Sequence, residues 1–310
     1  MTRAHARNEG PAVVAWMPTL SDQEFHLFQA LIQREAGIHL GEHKRPLVVG
    51  RLSRRLRELE LTSFRTYYDR VVEGGDDELK SLLDCICTNE THFFREPEHF
   101  TFLEERALGE FEALAASGRI PKRLRIWSAA CSTGEEPYTL AMILRARFPK
   151  ESGWDIEIVA SDLSTRVLER AEEALWPIQK TTEIPYDYLR RFMLRGTGSQ
   201  VGKMKAGGEI RSLVRFCRVN LNDETYPVPG TFDLIFCRNV LIYFDTEAKT
   251  KVVKRLLQKL NPHGYFFLGH AETLAGLADN VQSVIPNVYR VKHAPRLASS
   301  LVPVAATGVA

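Results

Sequence analysis

The sequence lacks several features that would each define a class of protein. It has no run of about 18 successive apolar residues and no signal-peptide pattern at its start, so it predicts neither a membrane span nor an exported chain. Its 41 basic and 39 acidic side chains nearly cancel, so no overall field favours nucleic acid or a membrane surface. We therefore expect a cytoplasmic protein without membrane insertion, in which any basic partner surface is local.

Cysteine is also scarce. The five cysteines are odd in number, and several lie inside apolar runs, which excludes a disulfide framework and indicates reduced thiols. Cys85 and Cys87 form a C-x-C pair, but no second Cys or His pair follows at zinc spacing. The sequence therefore predicts no metal site.

The first third of the chain has helical periodicity. Ser21 and Glu24 form a capping-box pattern, apolar residues follow at 25, 28, 31 and 32, and Gly37 marks the end of this helix. Three further helical patterns precede Glu90. We predict an all-helical N-terminal domain over residues 19–95, after a flexible tail over 1–18, with a second tail over 294–310.

The remainder alternates between apolar runs and amphipathic helices. The runs predicted as strands are LRIWSAA (124–130), IEIVASD (156–162), VRFCRVN (214–220), FDLIFCRN (232–239) and GYFFLGH (264–270). This alternation predicts an α/β domain over residues 96–293, with a mostly parallel sheet covered by helices on both faces. A final run, NVYRVK, is expected to close the sheet as an antiparallel edge strand.

The alternation is interrupted between the second and third of these strands. The segment at about 185–213 holds five glycines and one short helical pattern, and it predicts short hairpins. Long insertions into compact folds are more often functional than structural. A partner-docking subdomain and a structural elaboration are both consistent with it.

The turn after the first predicted strand has only one glycine. IWSAACSTGEEPYTLAMIL (126–144) contains Gly134 but neither G-x-G-x-x-G nor a P-loop. Glu135 and Glu136 would repel a pyrophosphate, whereas S-adenosylmethionine carries a sulfonium and an ammonium and no phosphate. The turn therefore favours S-adenosylmethionine. Alternatively, the two acids only stabilise the start of the helix.

An acid also ends the second predicted strand. A carboxylate at this position typically accepts hydrogen bonds from ribose hydroxyls, which suggests that Asp162 binds a nucleoside. The competing interpretation is that Asp162 caps the helix beginning near Ser164.

One local segment is strongly basic. KRPLVVGRLSRRLR, from Lys44 to Arg57, has six basic residues and no acidic one. Such runs are usually solvated helix faces, but this one also suits an acidic protein partner or, on charge alone, nucleic acid.

Six stretches in order carry a family resemblance: TNETHFFRE, WSAACSTGEEPYTLAM, ASDLSTRVLERA, RGTG, FDLIFCRNVLIYF and GYFFLGHAE. Together they resemble the CheR family of chemotaxis receptor glutamate methyltransferases over about residues 20–293. The resemblance implies a helical domain joined to a Rossmann-like S-adenosylmethionine-dependent methyltransferase domain with a small inserted β-subdomain. It implies S-adenosylmethionine as cofactor and S-adenosylhomocysteine as product. The cofactor-binding residues that it implies are Asn89, Thr91, Arg95, Glu135, Asp162, Asn220, Leu221, Cys237 and Arg238.

The resemblance also implies substrates and roles. Arg95 and Tyr243 would flank the transferable methyl group, and glutamates on the cytoplasmic helices of chemoreceptors would receive it. The expected partner-binding residues are Arg51, Arg54 and Arg55 on the basic helix and, for a receptor tail peptide, Gly207 and Gly208. We expect a monomer that does not bind nucleic acid.

Two other functions remain open on the sequence. A nucleic-acid methyltransferase would share the cofactor domain, but such enzymes usually have a D/N-P-P-Y/F stretch where this chain has CRNVLIYF. A non-catalytic adaptor that senses S-adenosylmethionine is the other alternative, although the presence of Arg95 and Tyr243 argues against it.

Overall fold

The computed structural model describes residues 18–292, which form two compact units divided between Thr88 and Asn89. This division falls earlier than residue 95, where the sequence predicts the helical domain to end. The predicted tails at 1–18 and 294–310 lie outside the described residues, apart from Pro18. Within the described residues, no helix combines the length and the apolar character that crossing a membrane requires.

The first unit is all-helical. Its helices are α1 (Asp22–Ala36), α2 (Arg45–Glu58), α3 (Phe64–Glu73) and α4 (Asp76–Ile86). The predicted capping box is present, since the Glu24 N–H donates to Ser21 Oγ at 3.3 Å and the Ser21 N–H donates to Glu24 Oε2 at 2.8 Å. Helix α1 ends at Gly37, whose φ of 69° is a conformation that favours glycine.

The second unit contains a seven-stranded sheet. Its strands are β1 (Arg123–Ala129), β2 (Asp155–Asp162), β6 (Val214–Arg218), β7 (Phe232–Cys237), β8 (Leu260–Leu268), β9 (Val281–Ile285) and β10 (Val288–Val291). The order is β6-β2-β1-β7-β8-β10-β9, and the first five of these are parallel. The predicted doubly wound α/β fold is therefore confirmed.

Both faces of this sheet are buried, so successive strand residues enter different cores. Trp127, Ile235 and Phe266 lie in one apolar cluster, while Ile126, Leu234 and Phe267 lie in the other. The helices beside the sheet are α5 (Pro97–Phe102), α6 (Leu108–Ala116), α7 (Glu135–Arg147), α8 (Thr165–Glu173) and α11 (Thr246–Gln258). This double burial explains the apolar runs at the carboxyl ends of β1, β7 and β8.

The C-terminal edge of the sheet differs from the sequence prediction. Strand β10, the predicted edge strand, is antiparallel to β8 but lies inside the sheet, because β9 pairs with its other side. The sequence does not indicate β9, because its residues VQSVI have two exposed polar side chains at the centre and no long apolar run.

A second, three-stranded antiparallel sheet lies in the predicted insertion. Its strands are β3 (Leu175–Pro177), β4 (Met193–Arg195) and β5 (Lys203–Ala206), in the order β3-β5-β4. Two short helices accompany it, α9 (Tyr186–Phe192) and α10 (Gly208–Arg211). The small sheet thus begins at Leu175, before residue 185, where the sequence places the insertion.

Candidate cofactor site and its relatives

The parallel strands end at one edge of the large sheet. The register pairs Ala129 of β1 with Ser161 of β2, and Asp162 with Arg218 of β6. On the other side of β1, Ser128 pairs with Phe236 near the end of β7. The chain moves from β1 outward to β6 and then returns to β7, so strand order reverses between β1 and β7. Doubly wound proteins bind ligands at this point, beyond the carboxyl ends of the strands.

The turn after β1 has an unusual backbone. Ala130, Ser132 and Gly134 have φ values of 66°, 50° and 93°. Two of these residues are not glycine, and such conformations cost about 1–3 kcal/mol each and concentrate at ligand sites. A Cβ at Gly134 would lie 3.0 Å from the Cβ of Ala171 in α8. Gly134 therefore lets the start of α7 approach α8 closely, as the single glycine of this turn.

Asp162 fixes this turn to the second strand. Its Oδ2 accepts from the Ser132 N–H at 2.9 Å and its Oδ1 accepts from the Ser164 N–H at 3.0 Å. The cap of α8 is the Ser164 side chain, which accepts from the Val167 N–H. Asp162 therefore holds the turn after β1 beside the start of α8, at the strand end where the sequence predicts a nucleoside ligand.

Glu135 is buried at the start of α7 and is already ion-paired. Its Oε1 lies 2.8 Å from Lys180 Nζ, and its Oε2 accepts from Thr133 Oγ1 at 2.6 Å. Lys180 also donates to the Thr91 carbonyl at 3.1 Å. Glu135 therefore does not offer an uncompensated charge to a cationic ligand, contrary to what the sequence suggests. Its charge is already paired with a lysine that lies far away along the chain. No spacing or motif indicates Lys180.

Glu136 belongs to a different cluster. It accepts from Ser128 Oγ at 2.6 Å and from Arg238 Nη1 at 3.1 Å. Arg238 also donates to Glu96 Oε2 at 2.9 Å and to the Arg95 carbonyl, and its guanidinium lies 5.4 Å from the Phe100 ring centre. The predicted cofactor ligand Arg238 is thus held on several sides by protein groups.

The Arg238 cluster shifts the acidity of its members. Burial raises the pKa of Glu96, but the charge and hydrogen bonds of Arg238 outweigh it and lower this pKa to about 2. Burial raises the pKa of Glu136, because the opposing Arg238 does not fully offset its desolvation. Burial and the nearby Arg238 charge lower the pKa of His99 to about 4. The guanidinium therefore sets the charge state of the surrounding groups.

The segment from Asn89 to Arg95 is anchored at the strand ends largely through its backbone. The Asn89 carbonyl accepts from Ser132 Oγ at 2.9 Å, and the Thr91 and Arg95 carbonyls accept from Lys180 and Arg238. The Arg95 side chain is half-buried and donates to the Glu90 carbonyl at 3.0 Å. The structure therefore brings Asn89, Thr91 and Arg95 to the same edge as the turn after β1.

The other predicted cofactor residues follow β6 and end β7. Asn220 Oδ1 accepts from the Asn222 N–H at 3.0 Å, and the Leu221 carbonyl accepts from the Tyr226 hydroxyl at 2.9 Å. Cys237 is fully buried at the end of β7, and burial raises the pKa of its thiol. Leu221 and Cys237 thus offer backbone and apolar surface rather than charge.

Tyr243 lies in the short turn Leu241–Tyr243 after β7 and is half-buried. One carboxylate, Glu272, shapes the segment leading to it by accepting from the N–H groups of Asn239 at 2.8 Å and Leu241 at 2.7 Å. The same carboxylate accepts from the Gly269 N–H at 2.7 Å. Glu272 ends the motif GYFFLGHAE, and no sequence pattern indicates this role.

The predicted partner residues of α2 differ in environment. Arg55 forms two hydrogen bonds with the buried Glu78, at 2.9 and 2.8 Å, and Arg51 donates to the Ile86 carbonyl and to Thr88 Oγ1. The Arg54 side chain is 78% exposed and pairs with Glu58 on the same helix at 3.0 Å. Arg51 and Arg55 therefore tie α2 to α4 and its C-terminal end, whereas Arg54 faces solvent.

The two glycines predicted to serve a tail peptide also differ. A Cβ at Gly207 would lie 2.8 Å from the Phe192 carbonyl oxygen, whereas a Cβ at Gly208 would meet nothing within 4 Å. Gly207 thus permits a close backbone contact inside the small subdomain, and Gly208 is exposed.

A reversal of strand order, an acid after the second strand and a strained first turn with a single glycine define an S-adenosylmethionine-dependent methyltransferase domain. The comparisons agree. Residues 89–289 match the CheR methyltransferase SAM binding domain, and residues 23–87 match the CheR methyltransferase all-alpha domain. The chain belongs to the CheR methyltransferase family.

The relatives are similar over most of their length. The chain is 40% identical to chemotaxis protein methyltransferase 2 of Pseudomonas aeruginosa over 282 residues, which cover 88% of this chain and 96% of that protein. It is 38% identical to the chemotaxis protein methyltransferase of Salmonella typhimurium, covering 83% and 86%, and to that of Escherichia coli, covering 83% and 87%. The predicted family and the cofactor S-adenosylmethionine are thus confirmed.

Proposed function

We propose that this protein transfers the methyl group of S-adenosylmethionine to glutamate side chains in the cytoplasmic region of chemoreceptors. The product would be a glutamate methyl ester, with S-adenosylhomocysteine released. The relatives named as chemotaxis protein methyltransferases support this assignment. Such a substrate would place the protein in the cytoplasm, and we propose that it acts there as a monomer.

The observation that carries the proposal is the ion pairing of both acids beside the cofactor turn. When bound, S-adenosylmethionine supplies an electrophilic methyl group on a sulfonium sulfur. Glu135 is paired with Lys180 and Glu136 with Arg238, so neither carboxylate is poised as a general base. A hydroxyl or amine acceptor would need such a base, whereas a glutamate carboxylate is already ionised at neutral pH. This site therefore suits a carboxylate nucleophile.

Alignment is then the main task of the protein. We propose that the Arg95 guanidinium binds the incoming carboxylate through charge-assisted hydrogen bonds, while its backbone carbonyl stays anchored to Arg238. Tyr243 would orient the same carboxylate through its hydroxyl. Attack on the methyl carbon forms the ester C–O bond and breaks the C–S bond, so no proton has to be transferred.

The test uses the purified full chain, S-adenosylmethionine labelled in the methyl group, and a chemoreceptor cytoplasmic fragment. We expect label on the fragment that mild alkali releases as methanol, as an ester requires. The Tyr243→Phe variant should lower kcat by up to about 100-fold through misalignment. Its matched control is Tyr186→Phe, because Tyr186 is a 71% exposed tyrosine on α9. Label that survives alkali, or that appears on RNA instead, would contradict the proposal.

We propose that the exposed arginine of α2 guides the acidic receptor. Arg54→Glu should raise the receptor KM several-fold and leave the affinity for S-adenosylhomocysteine unchanged, since it alters only a solvent-facing charge. Arg34→Glu is the control, because Arg34 is also exposed, at 67%, but lies on α1. Equal KM values for the two variants would remove α2 from the receptor surface.

We propose that the small sheet binds a receptor tail peptide as an added strand. Strand β4 is an edge of this sheet, and its Leu194 is 59% exposed. Leu194→Asp should abolish binding of such a peptide in calorimetry, whereas Val72→Asp, at a 56% exposed position of α3, should not. Unchanged peptide affinity in Leu194→Asp would contradict this docking mode.

A further inference from the structure

Three potential metal ligands converge near the start of α5. Glu96 precedes this helix, His99 lies in its first turn, and His270 follows β8. One ligand atom from each side chain lies within 4.8 Å of the other two. These residues come from two chain segments that are distant in sequence, so their convergence is a product of the fold.

His99 gives an independent indication of a missing partner. Its side chain is 1% exposed, and neither ring nitrogen has a hydrogen-bond partner among residues 18–292. The nearest carboxylate atom, Glu96 Oε2, is 3.5 Å from Nδ1, too far for a good hydrogen bond. Buried polar groups without partners are uncommon and costly, and a bound ion is one recognised reason for them.

Carboxylates outnumber cations around His99, although the nearby Arg238 charge acts against a positive charge at the ring itself. Glu96 and Glu136 share the single positive charge of Arg238, at 2.9 and 3.1 Å, and Glu98 lies 3.5 Å from His270 Nε2. Three carboxylates and one guanidinium give this cluster a formal charge of −2 when both imidazoles are neutral. A divalent cation would cancel this charge.

We propose that Glu96, His99 and His270 form a binding site for a divalent transition-metal ion of the Zn²⁺ type. Two imidazoles and one carboxylate are ligands typical of zinc, and water can take the fourth position. Ligand atoms on a tetrahedral zinc, at about 2.1 Å from the ion, are about 3.4 Å apart. The His270 side chain is 53% exposed, so it can rotate inward to close the remaining gap.

Mg²⁺ and Ca²⁺ do not suit this site. Both ions prefer oxygen ligands, and the cluster offers two imidazoles that are better matched to Zn²⁺, Ni²⁺ or Co²⁺. The site departs from the sequence prediction of no metal, because that prediction depended on cysteine spacing and could not detect histidines from distant segments. Glu96 Oε1 accepts from the His270 N–H at 3.1 Å, so a bound ion would add a second link between Glu96 and the loop after β8.

The experiment titrates ZnCl₂ into the metal-free full chain and follows heat by calorimetry, with MgCl₂ as the comparison ion. CoCl₂ then gives a visible spectrum whose intensity reports tetrahedral coordination. His270→Ala is the informative variant, because this exposed side chain can be removed without disturbing the core. His26→Ala is its matched control, since His26 is 59% exposed and lies 3.1 Å from a carboxylate oxygen of Glu42.

We expect one equivalent of Zn²⁺ to bind, a tetrahedral Co²⁺ spectrum and no response to Mg²⁺. His270→Ala should weaken Zn²⁺ binding at least about tenfold, a loss of about 1.4 kcal/mol, and His26→Ala should leave it unchanged. Because binding is specific to the folded chain, Zn²⁺ should also raise the Tm of the wild type more than that of His270→Ala. Equal Zn²⁺ affinity in His270→Ala and the wild type, or no binding to either, would overturn the proposal.

Discussion

Two neighbouring glutamates at the start of α7 form ion pairs of different character. Glu135 pairs with Lys180, whose side chain is 24% exposed and ends in a single flexible ammonium. Glu136 pairs with Arg238, whose side chain is 2% exposed and whose planar guanidinium also binds Glu96 and the Arg95 carbonyl. The first pair can rearrange around a ligand, whereas the second holds several segments in fixed positions.

The two ion pairs therefore have different roles, although their glutamates lie in one helical turn. The Lys180 pair can adjust to a ligand, whereas the Arg238 pair supports the fold. The partly exposed Lys180 can exchange its contact with the Thr91 carbonyl for water at modest cost, although its other partner, Glu135, is buried. A buried arginine has no such alternative, because losing one partner leaves a charge without solvent. Replacing Arg238 should therefore affect stability more than cofactor binding, whereas replacing Lys180 should affect cofactor binding more than stability.

The largest effect is expected from Arg238→Met. This change removes the buried counter-ion that two largely buried carboxylates share, since the side chains of Glu96 and Glu136 are 10% and 13% exposed. It should lower the free energy of unfolding by about 3–5 kcal/mol. Urea unfolding followed by tryptophan fluorescence measures the loss. Arg123→Met is the control, because the 49% exposed Arg123 pairs at the surface and should change the value by less than about 1 kcal/mol. Similar losses in both variants would contradict a supporting role for Arg238.

The acidity of Glu96 gives the next effect. Its pKa falls from 4.5 to about 2 in the folded chain because Arg238 outweighs the effect of burial. The ionised form therefore contributes stability, on the order of 3 kcal/mol, that is present above pH 4.5 and lost as pH falls toward 2. Glu96→Gln should make stability less dependent on pH in this window. An unchanged acid-unfolding curve in this variant would show that Glu96 is not held by Arg238.

Asp162→Asn tests the predicted cofactor site rather than the ion pair that supports the fold. The substitution replaces one carboxylate oxygen with an amide NH2 group and removes the negative charge. The side chain then accepts fewer hydrogen bonds from backbone N–H groups and, in our interpretation, from ribose hydroxyls. The affinity for S-adenosylhomocysteine should fall by about 1.5–3 kcal/mol, measured by calorimetry. Asp155→Asn, at a 70% exposed side chain where β2 begins, should have no effect. Wild-type affinity in Asp162→Asn would exclude Asp162 from the cofactor site.

A smaller loss of stability is expected from Lys180→Met. Only one buried carboxylate, Glu135, loses its counter-ion, and it keeps its hydrogen bond from Thr133, so unfolding should become easier by about 2–3 kcal/mol. The affinity for S-adenosylhomocysteine should change in the same preparation, because Lys180 links the Asn89–Arg95 segment to α7. A stability loss as large as that of Arg238→Met would make the two ion pairs equivalent and end the distinction.

Local patterns predicted much of this fold from the sequence. The capping box of Ser21 and Glu24, the stop at Gly37 and the five parallel strands all depend on neighbouring residues, and the structure has them within a few positions. The ends of the strands located the cofactor turn and Asp162 for the same reason. Sequence periodicity reports short-range structure well.

Local sequence patterns do not predict contacts between residues that are distant in the sequence. The fold brings together residues that are distant in the sequence, as in the pairs Lys180 with Glu135, Arg238 with Glu96, and Glu272 with Leu241. The sequence therefore presents Glu135 and Glu136 as charges available to a ligand. In the fold, each is paired with a cation that lies far away along the chain. For the same reason, the sequence predicts the basic segment of α2 to be one partner surface. In the structure Arg55 pairs with Glu78 of α4, whereas the exposed Arg54 pairs with Glu58 of α2 itself.

Glu272 accepts hydrogen bonds from residues after β7 and from Gly269 after β8. Glu96 joins the same two loops, since its Oε1 accepts from Asn239 Nδ2 and from the His270 N–H, both at 3.1 Å. The loop after β7 therefore depends on the loop after β8 for its shape. Chimeras that exchange only the Tyr243 loop between relatives should misplace it, whereas joint exchange with the segment through Glu272 should preserve its shape.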